Sequence, residues 1–233
     1  METIPKIKTG ILSFDEFSGG GLPKNAIYLV TGGPGSGKSI FTYMFVYFGA
    51  LNFNEKSMLI TTLDSREHII RYTKTFGWDL GKLEQKGILI LKDLSKIPAA
   101  EDFGSSILFN RLMEAVVEAE DEAEKVERIV LDSATSVISL YTDPIRARRD
   151  MIQLTNLLRR TNATTLITNE VISTVHQIEE YLVDGVIKLS IIPKSDEFIR
   201  VLQISKLRGS AHPMRQIPYK ITEHGIELSR KTL

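Results

Sequence analysis

Residues 32–39 constrain this chain more than any others: Gly32-Gly33-Pro34-Gly35-Ser36-Gly37-Lys38-Ser39 puts four glycines into six positions. Glycine and proline at that density suit neither strand nor helix, because one forfeits the most backbone entropy and the other lacks a donor. An apolar run, Ala26–Thr31, enters the loop, and helical spacing over Ser39–Leu51 leaves it. The segment therefore predicts a strand, a tight loop and a helix. A glycine followed after four residues by Gly-Lys-Ser is the P-loop spacing, which aims loop amides and the positive helix end at one anion. Glycines let the main chain approach phosphate oxygens that a side chain would fend off. Lys38 then reaches the β- and γ-phosphates, and the Ser39 hydroxyl ligates Mg²⁺. The predicted nucleotide contacts are Gly32, Gly33, Pro34, Gly35, Ser36, Gly37, Lys38, Ser39 and Ile40. A glycine-rich turn without a ligand is the alternative.

The rest of the chain must build around that unit. Short, nearly continuous apolar runs at Ala26–Thr31, Met58–Leu63, Ile88–Leu91, Arg128–Leu131 and Thr164–Thr168 read as strands buried on both faces. Helical spacing at Ser39–Leu51, Ser65–Phe76, Ser105–Val126 and Pro144–Arg160 separates them, so the alternation predicts an α/β fold with a mainly parallel sheet. In the third helix Leu108, Leu112, Ala115, Val116, Ala119 and Ala123 make one apolar stripe, opposite an acidic face. After Gly185 the pattern becomes alternating, over Val186–Ile192, Phe198–Ser205, Ile217–Thr222 and Ile226–Ser229, which predicts C-terminal antiparallel hairpins. No repeat or linker breaks the chain, and residues 1–233 are expected to form one domain. Arg128–Leu131 runs into Asp132, expected at the carboxyl edge of a strand next to the loop strand, where the acid holds Mg²⁺ or caps a following helix.

Composition narrows the function classes. With 29 basic against 29 acidic residues the formal net charge is zero, which argues against a protein whose affinity comes from neutralising many phosphates. No cysteine is present, so neither disulfides nor thiolate metal sites arise, and a cytoplasmic setting is expected. Met1–Lys6 does not read as a secretory signal, and Ile40–Leu51 is too short and interrupted to cross a bilayer. The four histidines, His68, His176, His212 and His224, lack zinc-site spacing.

Beyond the loop, several segments resemble the KaiC-like branch of the RecA/RadA superfamily of ATPases. Thr9-Gly10 through Asp15 with Gly19-Gly20-Gly21-Leu22-Pro23 resembles its entry segment, and Phe76-Gly77-Trp78-Asp79-Leu80 its signature after the second helix. Leu131-Asp132-Ser133-Ala134-Thr135-Ser136 resembles its Walker B segment, and Lys206-Leu207-Arg208-Gly209 with His212 its late strand-to-loop motif. The resemblance covers nearly the whole chain. It implies a RecA-type P-loop NTPase core, ATP as nucleotide, and a ring, such as a hexamer, or a partner protein completing each site. Lys206 and Arg208 would then reach across an interface to the neighbour's γ-phosphate; an exposed strand end is the alternative.

Two departures from the family pattern bear on chemistry. This sequence holds one copy of the unit and lacks a clearly matching Ser-Thr pair, so clock autokinase activity is not expected. The family's second strand ends in two glutamates, one of which polarises the attacking water, whereas Leu63 and Asp64 stand here. Leucine accepts no proton and aspartate is one methylene shorter, so slow or absent hydrolysis is expected. Asp64 is the candidate base, with Glu67 a second; Asp64 or Ser65 could instead cap the next helix. Thr168-Asn169-Glu170 resembles the family's polar sensor of the γ-phosphate. Single-stranded DNA, for which Arg146, Arg148, Arg149, Arg159 and Arg160 are the best candidates, is disfavoured: Val171–Glu179 carries no Lys, Arg or aromatic residue. The reading is an oligomeric, ATP-dependent switch of weak hydrolysis. Its rivals are an accessory DNA-binding protein of recombination and a non-hydrolysing ATP-binding scaffold.

Overall fold

The computed structural model describes residues 4–96, 104–121, 126–170 and 177–229. The chain enters through a small antiparallel ribbon, β1 (Lys6–Ile7) with β2 (Leu22–Pro23), separated by α1 (Leu12–Phe17). Buried Asp15 ties this entry together by accepting from the Thr9 amide and hydroxyl, each at 2.8 Å. Then follow β3 (Ile27–Gly32), α2 (Lys38–Phe53), β4 (Ser57–Thr61), α3 (Arg66–Lys74), α4 (Leu80–Gln85) and β5 (Leu89–Asp93). The remaining elements are α5 (Gly104–Asp121), β6 (Arg128–Asp132), α6 (Ala134–Ile138), α7 (Pro144–Arg160), β7 (Thr164–Asn169), α8 (Gln177–Leu182), β8 (Gly185–Lys194), β9 (Glu197–Leu207), β10 (Ile217–Thr222) and β11 (Gly225–Leu228).

The large sheet has the order β11-β10-β9-β8-β3-β7-β6-β4-β5. Strands β3 to β8 run parallel, and β8-β9-β10-β11 are joined antiparallel, as the change from continuous to alternating patterning predicts. Successive strand residues feed opposite cores. Tyr28, Val30, Leu59, Val130 and Leu166 meet α1, α2, α3 and α4, while Ile27, Leu29, Met58, Ile60, Ile129 and Ile167 meet α5, α6 and α7. Helix α7 begins at Pro144, as the helical spacing over Pro144–Arg160 predicts; the Asp143 carboxylate caps it by accepting from the Ile145 amide at 2.9 Å, and Pro144 needs no partner for an N–H. The last residues of the predicted third helix, 122–125, lie outside the described residues.

Two expectations need correction. Asp132 does not emerge on a strand next to the loop strand: β7 lies between β3 and β6, putting β6 two strands, about 10 Å, away. Strand β4 also stops at Thr61 rather than Leu63, because the Thr61 hydroxyl donates to the Asp64 carbonyl at 2.8 Å and closes a turn. Leu63 is left 63% exposed on that turn.

One buried charge pair fastens the base of the site-bearing elements. Arg128, fully buried at the start of β6, donates through Nε to Glu55 at 2.7 Å and through Nη1 to the Phe45 carbonyl at 2.9 Å. Its guanidinium lies 4.4 Å from the centre of the Phe45 ring, and Gly49 is glycine because a methyl group there would come within 2.2 Å of Arg128 Nε.

Candidate functional site

The glycine-rich loop crosses from the carboxyl end of β3 to the first turn of α2. Gly35 and Gly37 take φ values of 74° and 90°, the left-handed region where a side chain is strained. Gly32 packs so close to β8 that a Cβ would lie 2.2 Å from the Leu189 carbonyl, whereas a Cβ on Gly33 would meet nothing within 4 Å. The loop's shape is held from outside. The Arg200 Nε donates to the Gly35 carbonyl at 3.1 Å, and the Tyr219 hydroxyl donates to the Ser36 carbonyl. Burial raises the Tyr219 phenol above its ordinary range, so it remains a donor. Lys38 Nζ folds back onto the loop, donating to Gly32 and Gly33 carbonyls at 2.9 and 3.2 Å, with Glu170 Oε1 at 3.8 Å. The cation of the loop, the open space at Gly33 and the start of a long helix thus face one region.

Asp132 ends β6 on the same edge of the sheet and is 8% exposed. It accepts from the Thr168 hydroxyl of the intervening strand β7. Tyr43 approaches it from α2, four residues past Ser39 and so one helical turn along the same face. Burial first, then the charge of Asp132, drives the Tyr43 phenol well above its ordinary range. Ser39 and Asp132 both act on the Tyr43 hydroxyl, and the neighbouring Ser133 hydroxyl is buried without a partner among the described residues. An oxygen-rich, anionic corner with a buried, unpartnered Ser133 hydroxyl fits a hard divalent cation that keeps several waters. Ser39 and Asp132 would hold Mg²⁺, and the loop amides with Lys38 would hold the triphosphate.

The other candidates are placed as follows. Ser65, not Asp64, caps α3 by accepting from the His68 amide at 3.2 Å; Asp64 instead bonds His68 Nδ1 at 2.9 Å through Oδ1. Glu67 is exposed and pairs with Lys96 at 3.8 Å, toward the β5 edge, so the structure does not bring it to the loop. Strand β5 is four strands, about 19 Å, from β3. Lys206 and Arg208 stand at the opposite end of the sheet from Gly32. The Arg208 amide bonds the Asp184 carbonyl and the Asp184 amide bonds that of Ile27, so Arg208 is level with the first residue of β3. Five residue steps of β3, about 17 Å, separate that level from Gly32. Within the chain Arg208 lies 3.6 Å from Asp184, and Lys206 Nζ donates to the Glu180 and Val183 carbonyls at 2.8 and 2.6 Å. Burial, then the Arg208 charge, holds the Lys206 ammonium below the ordinary lysine range.

Of the arginines considered for DNA, Arg146 bonds Ser106, Arg159 pairs with Asp184 and Arg160 with Glu120. Residues 171–176 of the Val171–Glu179 segment lie outside the described residues. Among the described residues no helix is long and apolar enough to cross a membrane. Sequence reasoning did not single out Tyr43, Arg200 or Tyr219. Only Tyr43 left a signal, its helical offset from Ser39, and inside an apolar helix that signal reads as core.

Comparison with known proteins agrees with this geometry. A family model described as "ATPase: KaiC" matches residues 7–232. The circadian clock oscillator protein KaiC of Synechococcus elongatus is 34% identical over 97% of this chain, and that of Parathermosynechococcus lividus 33% identical over 97%. The chain spans less than half of those relatives, 44% and 42% of their lengths. A crystal structure of a KaiC-like protein from the hyperthermophilic archaeon Pyrococcus horikoshii superimposes with a TM-score of 0.84 at 29% identity, covering 97% of this chain and 99% of that one. A P-loop at the carboxyl edge of a mainly parallel sheet, and a match over nearly all residues, place the chain in the KaiC ATPase family, with a nucleotide-binding P-loop.

Proposed function

We propose that the chain binds Mg·ATP at Gly32–Ser39 with Asp132, and works as an oligomeric switch of slow turnover in which Lys206 and Arg208 of one subunit complete the site of the next. The observation that carries this reading is the separation of Arg208 from its own loop along β3. A guanidinium at that end of the sheet serves a phosphate only in trans, and it is exposed where a neighbour can meet it. Family membership supports nucleotide binding and assembly.

Ser39 and Asp132 would hold Mg²⁺, which would supply positive charge against that developing on the phosphates. The chain's own residues do the rest. Loop amides and Lys38 hold the phosphates, and Glu170, paired with Lys38 in the structure, releases the ammonium to them. Asp64 is the acid nearest the family's water-polarising position, but its Oδ1 is engaged by His68 and it is one methylene shorter than glutamate. Slow proton removal follows. Slow turnover suits a switch, since a ligand bound only by the assembled state at a hundred times its Kd stabilises that state by about 2.7 kcal/mol.

Mixing two inactive variants tests the reading. Lys38→Ala subunits should lose ATP but keep Arg208, and Arg208→Ala subunits should do the reverse. Single-turnover hydrolysis should fall at least a hundredfold in each and return in part when they are mixed. No recovery on mixing, with each variant assembled normally by sedimentation, rejects completion in trans.

A further inference from the structure

The carboxyl end of β7 touches both halves of the candidate site. Strand β7 lies between β3, which enters the glycine-rich loop, and β6, which ends in Asp132, at about 5 Å from each. In the parallel register Thr31 pairs with Asn169, so Glu170, the next residue, is level with Gly32. Two residues earlier the Thr168 hydroxyl donates to Asp132. Glu170 itself turns to the loop, its Oε1 3.8 Å from Lys38 Nζ, the group expected on the terminal phosphates. Its main chain is fixed, because the Glu170 amide donates to the Thr135 hydroxyl at 2.7 Å while that hydroxyl donates to Asn169 Oδ1. The side chain stays 36% exposed, within reach of water. A solvent-accessible carboxylate thus stands between the lysine and the metal acid, where the end of a triphosphate must lie. The turn after β4, where the family carries its glutamates, offers here only Leu63 and an Asp64 engaged by His68.

We propose that Glu170 is the general base of ATP hydrolysis in this chain, taking over from the glutamate that the family carries at Leu63–Asp64; this rests on the Mg·ATP reading above. In the empty site the carboxylate faces Lys38. When the ammonium turns to the phosphates, Glu170 is left beside them with that oxygen free to accept from water. One water O–H bond breaks and its proton passes to the Glu170 carboxylate, while the water oxygen forms a bond to the γ-phosphorus. The bond from that phosphorus to the bridging oxygen breaks, and ADP leaves with the electron pair. Inorganic phosphate is released, and the proton passes from Glu170 to solvent across its exposed side. Glutamate suits the step better than Asp64, being one methylene longer and not held by a histidine. A positioned base typically contributes about 10²–10⁴-fold.

Glu170→Gln in the full chain tests this, because it removes the proton acceptor and keeps the shape. Hydrolysis is read as single-turnover phosphate release from γ-labelled ATP with Mg²⁺. Nucleotide affinity is read by calorimetric titration of a non-hydrolysable ATP analogue, and folding as the thermal midpoint of the empty protein. The expected result is a rate about a hundredfold lower, with an unchanged midpoint and analogue affinity unchanged or tighter, since Lys38 loses a competitor for the phosphates. In Glu170→Ala, formate added to the buffer should restore part of the rate by entering the vacated space, and it should restore none to Glu170→Gln. An undiminished rate in Glu170→Gln, with or without tighter binding, would mean that Glu170 only competes for Lys38. A rate that falls together with analogue affinity would mean that it only helps to hold nucleotide. Either result overturns the proposal, as does the absence of formate rescue. Wild-type protein that binds the analogue but releases no phosphate from ATP also overturns it, whereas wild-type protein that binds no analogue with Mg²⁺ rejects the Mg·ATP reading and the base with it. Should Glu170→Gln fail to fold, the rate of Glu170→Ala with and without formate decides.

Discussion

Replacing Glu55 by glutamine should destabilise the fold far more than its place at the end of a surface loop suggests. The carboxylate is the counter-charge of Arg128, which is fully buried, and Glu55 itself is 14% exposed at its side chain. Arg128 also donates to the Phe45 carbonyl and covers the Phe45 ring, so it cannot swing out to water without breaking both. At an effective dielectric of about 20, opposite charges about 4 Å apart attract by about 4 kcal/mol. That figure matches the roughly 3–5 kcal/mol lost when one member of a buried pair is removed. Glutamine keeps the shape and leaves the cation uncompensated; Lys24, 3.5 Å from Glu55, then adds only repulsion. A loss of about 3 kcal/mol is expected, read as a urea midpoint lowered by about 1 M at unchanged slope. Arg128→Met with Glu55→Leu should recover most of it, since apolar replacement of a whole buried pair is often neutral. A Glu55→Gln change below about 0.5 kcal/mol, the size of an ordinary surface substitution, would refute the reasoning. The pair also matters for function, because α2 begins with Lys38 and β6 ends with Asp132.

Other outcomes follow from the same geometry. Leu63→Glu restores the family's acid on an exposed turn and should raise single-turnover hydrolysis about tenfold or more, by general-base catalysis; an unchanged rate would mean that the missing glutamate does not limit turnover. Gly33→Ala should fold with stability within about 0.5 kcal/mol of wild type, because its methyl meets nothing, yet bind ATP at least tenfold more weakly by occupying the phosphate's approach. Gly32→Ala should instead lose about 1–3 kcal/mol of stability, because its methyl collides with the Leu189 carbonyl; a circular-dichroism melt and an ATP titration separate the two.

Much of this was legible in the residues, for identifiable reasons. Parallel strands buried on both faces are continuous apolar runs, so Ala26–Thr31 and Arg128–Leu131 mark β3 and β6 to within a residue. Helical spacing over Pro144–Arg160 marks α7 at both ends because that periodicity is local. Lateral strand order is not local: nothing in Arg128–Leu131 records that β7 will insert between it and β3. The end of β4 depended on one hydroxyl, Thr61, choosing the Asp64 carbonyl. Helix α4, six residues containing Gly81, is too short to show a period and forms because Asp79 caps it and Leu80 and Leu83 are buried. At the site, the loop was legible because its glycines answer to backbone conformation. Its supports from β9 and β10, Arg200 and Tyr219, were not, since they arrive from strands more than 160 residues later.

Titration of ATP into the protein by calorimetry, with Mg²⁺ and again with EDTA, and repeated on Lys38→Ala, tests nucleotide binding at the P-loop most directly. The expected result is saturable heat at one site per chain, weakened by EDTA and abolished in Lys38→Ala, with a matching rise in the wild-type melting temperature. Absence of both heat and thermal protection in the wild-type protein with Mg²⁺, or equal binding by Lys38→Ala, would contradict it.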